Sequence, residues 1–246
     1  MEGFRPETSF GPQVAATYDD EPRGDESAAA DFLAGLLTAA SPGQAHALEF
    51  AIGTGRIALP LRARGVRVDG IELSEAMVER LREKPGGADL DVRIGDMARE
   101  RTDRRYGLVY LVFNTFFNLL TQDEQVACVE NAARHLDDDG VFVVEAAVPS
   151  AWLPSEAYAR PERVTATSVT LDVCTYDPVT QILDENHVRI GSAGIAMMPI
   201  SQRLAWPSEI DLMARLAGLR LRERWGGWQR QPYTGRDLHV SVYERA

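Results

Sequence analysis

Three acids and two glycines stand at intervals that suit the capture of a polar ligand: Glu49, Gly53, Gly55, Glu72 and Asp96. Gly53-Thr54-Gly55 joins a short apolar run, residues 47–51, to an apolar helical pattern that starts with Ile57, Ala58 and Leu61. Glycines at such a turn let the backbone fold tightly and come close to a ligand. The helix that follows offers N–H groups without intrahelical partners. Glu72 comes 19 residues after Gly53, and a carboxylate with two acceptor oxygens suits a ribose diol. Asp96 adds a second polar contact, suited to an exocyclic adenine amine, with Ile94 and Met97 placed to sandwich a base. The spacing Gly53-x-Gly55-x-x-Ala58 also fits a dinucleotide fingerprint. A nicotinamide dinucleotide and another adenosine compound both stay open at this point.

These residues need a scaffold that gathers strand ends. Apolar runs at 47–51, 66–72, 90–94, 106–113 and 141–147 read as five strands, and amphipathic helical patterns lie between them. Ser74 is placed to cap one helix, and Thr121 with Glu124 forms a capping box for another. After the fifth strand the alternation stops. Residues 164–176, 181–190 and 196–206 read as antiparallel strands, with Asp177-Pro178-Val179-Thr180 as a hairpin turn. Pro207 and Ser208 open a last helix, and residues 219–228 and 238–244 close the chain as a strand pair. The expected fold is α/β: a doubly wound, mostly parallel, seven-stranded Rossmann-like sheet with an antiparallel strand-rich insertion after the fifth strand. The expected organisation is a mobile arm over 1–24, a ligand-binding core over 25–149, a strand-rich cap over 150–206, and a closing helix and strand pair over 207–246. Ligands in such sheets bind at the carboxyl ends of the strands, near the switch in strand order.

On Glu49-Phe-Ala-Ile-Gly53-Thr-Gly55, Gly70-Ile-Glu72-Leu-Ser74-Glu-Ala-Met77, Gly95-Asp96-Met97 and the turn Asp137-Asp-Asp-Gly140, the chain resembles the class I S-adenosylmethionine-dependent methyltransferases. The resemblance covers about residues 27–147. It implies that Gly53, Thr54 and Gly55 pass close to the methionine part of S-adenosylmethionine, and that Glu49 sits near its ammonium group. It implies that Glu72 holds the ribose hydroxyls, that Leu73 and Met77 line the adenine, and that Asp96 meets the adenine amine beside Met97. Phe113 and Asn114 would lie along the methionine chain. Ala51 stands where the commonest family pattern has its first glycine, which tightens the turn. The sulfonium methyl is already activated, so catalysis can come largely from alignment, worth on the order of 7–11 kcal/mol. A base is needed only where the acceptor must lose a proton.

For the acceptor, the sequence offers aromatic residues and two candidate bases. Tyr18 in the N-terminal arm and His239 at the start of the last strand are the candidate catalytic groups. Tyr18, Phe117, Trp152, Trp228 and Tyr233 are the candidate acceptor contacts. Leu183, Glu185, His187 and Arg189 share one face of an insertion strand, which serves equally as a pocket face or a polar outer face.

The formal net charge of −11 argues against a broad surface for nucleic acid or anionic membrane. Two cysteines and four histidines stand in no metal-ligand spacing, so no metal is expected. No signal peptide or long apolar span is visible, and a cytoplasmic protein is expected. The reading is methyl transfer from S-adenosylmethionine, leaving S-adenosylhomocysteine, to a small aromatic or amine-bearing metabolite of secondary metabolism. The insertion is then a lid or a homodimer contact. An NAD-dependent oxidoreductase and a non-catalytic S-adenosylmethionine-binding scaffold are the competing readings.

Overall fold

Alternating apolar residues along the central strands sort the molecule into three layers. The computed structural model describes residues 1–20, 26–40, 45–151, 153 and 156–246. The strands are β1 (His46–Phe50), β2 (Arg67–Glu72), β3 (Asp91–Ile94), β4 (Tyr106–Leu111), β5 (Leu136–Ala147), β6 (Tyr158–Val164), β7 (Ser168–Asp177), β8 (Ile182–Gly191), β9 (Gly194–Arg203), β10 (Leu219–Trp225) and β11 (Leu238–Arg245). The helices are α1 (Pro6–Ser9), α2 (Pro12–Thr17), α3 (Glu26–Ala40), α4 (Ala58–Ala63), α5 (Glu75–Arg82), α6 (Gln122–His135) and α7 (Pro207–Leu216). One sheet has the order β10-β11-β5-β4-β1-β2-β3, parallel except for β11, which runs antiparallel to both of its neighbours. Strand order reverses between β1 and β4, which places the crevice there.

Strand β4 shows why the layers form. Leu108 and Tyr110 point to one face, where Phe32, Leu33, Leu36 and Leu37 of α3 cover them. Val109 and Leu111 point to the other, against Cys128, Val129 and Ala132 of α6 and Ile210 and Met213 of α7. Period-2 side chains buried on both faces require helices on both sides. Each fully buried apolar side chain contributes roughly 1.5–3 kcal/mol. The helix starts follow the local chemistry: the Ser74 hydroxyl accepts from the Met77 N–H, and Thr121 and Glu124 complete a reciprocal box.

The insertion is a separate sheet of four antiparallel strands, β6-β7-β8-β9, where the sequence showed three. The additional strand, β6, carries Arg160, Pro161 and Glu162, and so lacks an apolar alternation. It is an edge strand with a register shift after Pro161, the position at which a sheet tolerates a missing N–H. The β7–β8 turn forms as expected, with Asp177 accepting from the Val179 N–H and the Thr180 hydroxyl. A buried polar knot ties this sheet to the helices: Arg203 donates to Gln125 of α6 and Glu209 of α7. Residues 1–20, where no periodicity is visible in the sequence, hold α1 and α2 and lie against the turns that follow β1 and β2. Ser74 donates to the Phe10 carbonyl at 2.7 Å, Thr54 donates to Asp19 at 2.7 Å, and Lys84 pairs with Asp19 at 2.8 Å. Among the described residues, no helix is long and apolar enough to cross a membrane.

Candidate functional site

The turn after β1 and the end of β2 build one wall together. Ala51, Gly53 and Gly55 all have positive φ, at 53°, 55° and 77°. The backbone curls back so that the Gly53 N–H donates to Oε2 of Glu72 at 2.8 Å, while the Ser74 N–H donates to Oε1 at 2.8 Å. Burial pushes the Glu72 carboxyl up from its usual range, against the pull of these backbone donors. Each carboxylate oxygen keeps acceptor capacity toward the open side. Asp96 is anchored similarly, with Oδ1 accepting from the Ala98 N–H at 2.9 Å. Glu72, Asp96, Gly53, Leu73, Met77 and Met97 line a single cavity of about 470 Å³.

A second cavity of about 800 Å³ adjoins it, between α1, α2 and the inner face of the insertion sheet. Glu185, His187, Met198 and Gln202 face it from β8 and β9, and Phe113 and Asn114 from the end of β4. Phe10, Tyr18, Thr115 and Asn118 line both cavities and form their common wall. Thr115–Asn118 is a 3-10 turn entered through two consecutive non-glycine residues with positive φ, Phe113 at 58° and Asn114 at 61°. Residues held this way cost about 1–3 kcal/mol each and need support. Glu145 of β5 supplies it: one oxygen accepts from the Phe113 N–H at 2.8 Å and the other from the Trp228 indole at 2.9 Å.

The structure brings together Glu72, Asp96, Gly53, Ala51, Leu73, Met77 and Met97, with Tyr18 opposite them. Ile71 lines this cavity, whereas Ile94 does not. Glu49 lies beneath the turn, buried, with the Tyr110 hydroxyl donating to it at 2.9 Å. Burial pushes its carboxyl up to about 8, against that hydrogen bond and the nearby Arg56. Thr54 is buried and committed to Asp19. Gly55 holds its positive φ over the side chains of Leu81 and Leu59, which a Cβ there would press against. Phe113 and Asn114 line the larger cavity and not the smaller one.

Several expected acceptor residues are placed elsewhere. His239 lines neither cavity. Its ring is fully buried against Ser241, with Nδ1 2.8 Å from the hydroxyl, and desolvation with nearby Arg224 pushes it down to about 3. The strand parity that points Val240 to the α3 layer turns His239 to the opposite face. Tyr233 packs edge-on to His239, with Arg224 over its ring. Phe117 is wholly buried in the α6–α7 layer. Trp228 packs against Phe32 and holds Glu145, so it supports the site from behind. Trp152 lies outside the described residues. Asn118, Thr115, Gln202 and the Glu145 support are not visible in the sequence, since they come from a 3-10 turn and from strands far apart along the chain.

Comparison with known proteins agrees with this geometry. A family model described as a methyltransferase domain matches residues 47–140. The structure of the CcbJ methyltransferase from Streptomyces caelestis is similar over 98% of this chain and 99% of that one, with 37% identity and a TM-score of 0.89. A cypemycin N-terminal methyltransferase from a Streptomyces species is 27% identical over 79% of this chain and 80% of its own length. A dTDP-3-amino-3,6-dideoxy-alpha-D-glucopyranose N,N-dimethyltransferase from Streptomyces fradiae is 33% identical, over 57% of this chain and 55% of its own. The chain belongs to the S-adenosylmethionine-dependent methyltransferases.

Proposed function

We propose that this methyltransferase acts on an amine nitrogen of a small metabolite seated in the larger cavity, under the four-stranded insertion as an acceptor cap. The observation that carries this reading is the common wall of Phe10, Tyr18, Thr115 and Asn118 between a cavity lined by Glu72 and Asp96 and a second one of about 800 Å³. That volume suits a metabolite or a short peptide end rather than a folded protein. Glu185, His187 and Gln202 give the larger cavity hydrogen-bonding groups that suit a polar nitrogen. The activities named for two relatives, an N-terminal methyltransferase and an N,N-dimethyltransferase, point the same way.

In this reading Glu72 takes the ribose hydroxyls, Asp96 the adenine amine, and Ile71, Leu73, Met77 and Met97 enclose the base. Glu49 and the Gly53 turn serve the methionine end. Bound S-adenosylmethionine supplies a methyl group already activated for displacement. The chain itself binds the two partners, aligns them and excludes water. The test is incubation with methyl-labelled S-adenosylmethionine and three amines, benzylamine, glucosamine and alaninamide, each beside its hydroxyl counterpart. Label on nitrogen in at least one amine supports the reading; label only on the hydroxyl compounds overturns it.

A further inference from the structure

The inner face of the insertion sheet carries a pair of acids that the cofactor side does not use. Asp172 of β7 stands opposite His187 of β8, and Glu185 stands opposite Cys174, two residues along on the same face. Diagonal neighbours of this kind are within reach of long side chains, and the Glu185 carboxyl reaches that of Asp172. The donors to Asp172 all go to Oδ2: the Tyr158 hydroxyl at 3.0 Å, and Arg160 Nε and Nη2 at 3.0 and 2.9 Å. Its Oδ1 is buried and has no donor among the described residues. A buried acceptor without a donor needs an explanation. Glu185 is placed the other way: it lines the larger cavity beside His187, and its side chain keeps 22% of its surface accessible, against 7% for Asp172. Burial pushes the Glu185 carboxyl up from its usual range; His187 opposes this, and Asp172 and Glu162 add to it.

We propose that Glu185 is the base of this enzyme, taking the proton of the substrate ammonium, and that Asp172 Oδ1 accepts the O–H that forms. This rests on the amine reading above and deepens it. An alkyl amine arrives at neutral pH as an ammonium ion, which has no free electron pair for attack. Its proton moves to a Glu185 oxygen, and the N–H pair becomes the lone pair of a neutral amine. That lone pair forms the new N–C bond, and the C–S pair stays on sulfur as a neutral thioether. The product leaves as a methylated ammonium, and Glu185 returns its proton to water. Asp172 acts through Glu185 and is a positioning residue. Its charge makes Glu185 a stronger base, and Oδ1 gives the new O–H a fixed direction. The remaining charged groups around the pair are Arg160 and Glu162 of β6, His187, whose Nδ1 lies 3.0 Å from Glu162, and Arg5 of the N-terminal arm, which lines the same cavity. Tyr158 and Cys174 complete the titratable set on this face. From β9 the cavity is lined by the uncharged Met198, Ile200 and Gln202.

The test uses the full chain and two acceptors of similar shape. Benzylamine is an ammonium ion at neutral pH, and O-benzylhydroxylamine is too weakly basic to be charged there. Glu185→Gln is expected to lower kcat for benzylamine at neutral pH by about 100-fold, the usual scale of a lost general base. For O-benzylhydroxylamine, which has no such proton to lose before attack, kcat is expected to stay within about threefold. The glutamine keeps the size of the side chain and can donate an amide N–H to Asp172 Oδ1, so the thermal midpoint without ligand is expected to stay level or rise. S-adenosylhomocysteine affinity, measured by calorimetry, is expected to be unchanged. In the wild type, kcat for benzylamine is expected to fall as pH drops through the titration of Glu185, because a protonated Glu185 takes no second proton. Asp172→Asn removes the neighbouring negative charge and is expected to move that fall to lower pH by about one unit. An unchanged kcat for benzylamine in Glu185→Gln overturns the proposal. An equal loss with both acceptors also overturns it, because Glu185 would then shape the cavity without moving a proton. A fall in thermal midpoint or in S-adenosylhomocysteine affinity makes the residue structural and overturns it as well. An unmoved pH profile in Asp172→Asn removes the acid pair. If the wild type labels neither amine while binding S-adenosylhomocysteine, the amine reading itself falls; labelled amines with an indifferent Glu185→Gln remove only the role of Glu185.

Discussion

The two cavities share a wall but hold their polar groups differently. In the smaller one the carboxylates are fastened to backbone before any ligand arrives: Glu72 by Gly53 and Ser74, Asp96 by Ala98. In the larger one the polar side chains mostly hold one another: His187 lies 3.0 Å from Glu162 and 3.9 Å from Glu185. Backbone donors are fixed by the sheet and the turn, so the first arrangement is preset and suits a ligand that never changes. Side-chain pairs on an added sheet can be exchanged without disturbing the core. That difference is what a fold needs when one cofactor serves many acceptors.

The largest effect should come from the preset side. Glu72→Ala removes two acceptor oxygens from a buried wall and frees the Gly53 and Ser74 N–H groups. At about 1.5–3 kcal/mol for each of two charge-assisted bonds, S-adenosylhomocysteine affinity is expected to fall by roughly two to four orders of magnitude in calorimetry. A loss below tenfold would mean that the smaller cavity is not held by its carboxylates, and the contrast between the two cavities would collapse.

A middle-sized effect distinguishes the larger cavity from the β10–β11 end of the sheet. His239 is pushed down to about 3 from an ordinary value of 6.5. The unfolded chain therefore binds a proton that the folded chain refuses, and the stability held above pH 6.5 is lost as pH falls toward 3. At about 1.4 kcal/mol per pH unit, this one group accounts for at most about 3 kcal/mol between pH 6.5 and 4.5. His239→Gln is expected to flatten the pH dependence of the urea midpoint over that range while methyl transfer at pH 7 stays near wild type. A large loss of turnover would bring His239 back into the acceptor site, and the larger cavity would have to extend to the last strand.

The same contrast explains what could be read from the sequence. The convergence of Glu72 and Asp96 on one cavity is legible because a strand end fixes both position and direction, and because their partners lie within a few residues or one strand away. The Ser74 and Thr121 caps were legible for the same reason. Asn118 was not, because a left-handed pair before a 3-10 turn has no periodic pattern, and its support comes from Glu145 and Trp228. The sequence leaves His239 open to the acceptor side, and the structure buries it, because alternation tells which residues share a face, not which face meets solvent or ligand. The β6 strand is not legible, because charge and Pro161 at a sheet edge look like a loop. Alternation puts Glu185 and His187 on one face, and only the seating of the whole insertion turns that face to the cavity.

The smallest effect lies at the point where the preset side breaks its own rule. Ala51 adopts φ 53° where glycine would do so without penalty, and it lines the smaller cavity. An L-residue in that region costs roughly 1–2 kcal/mol. Two terms work against relieving it. Glycine gives the unfolded chain more freedom, and the Ala51 methyl, partly buried against the α6–α7 layer, would be lost. A fully buried methylene is worth about 0.8 kcal/mol, and this methyl is only partly covered, so the backbone term should win narrowly. Ala51→Gly is expected to raise the urea unfolding free energy by about 0.5–1 kcal/mol and to leave S-adenosylhomocysteine affinity within about threefold. A decrease in stability would mean that the methyl contact outweighs the backbone strain. The turn would then be set by packing beneath it as much as by its glycines, and the smaller cavity would depend on side-chain contacts just as the larger one does.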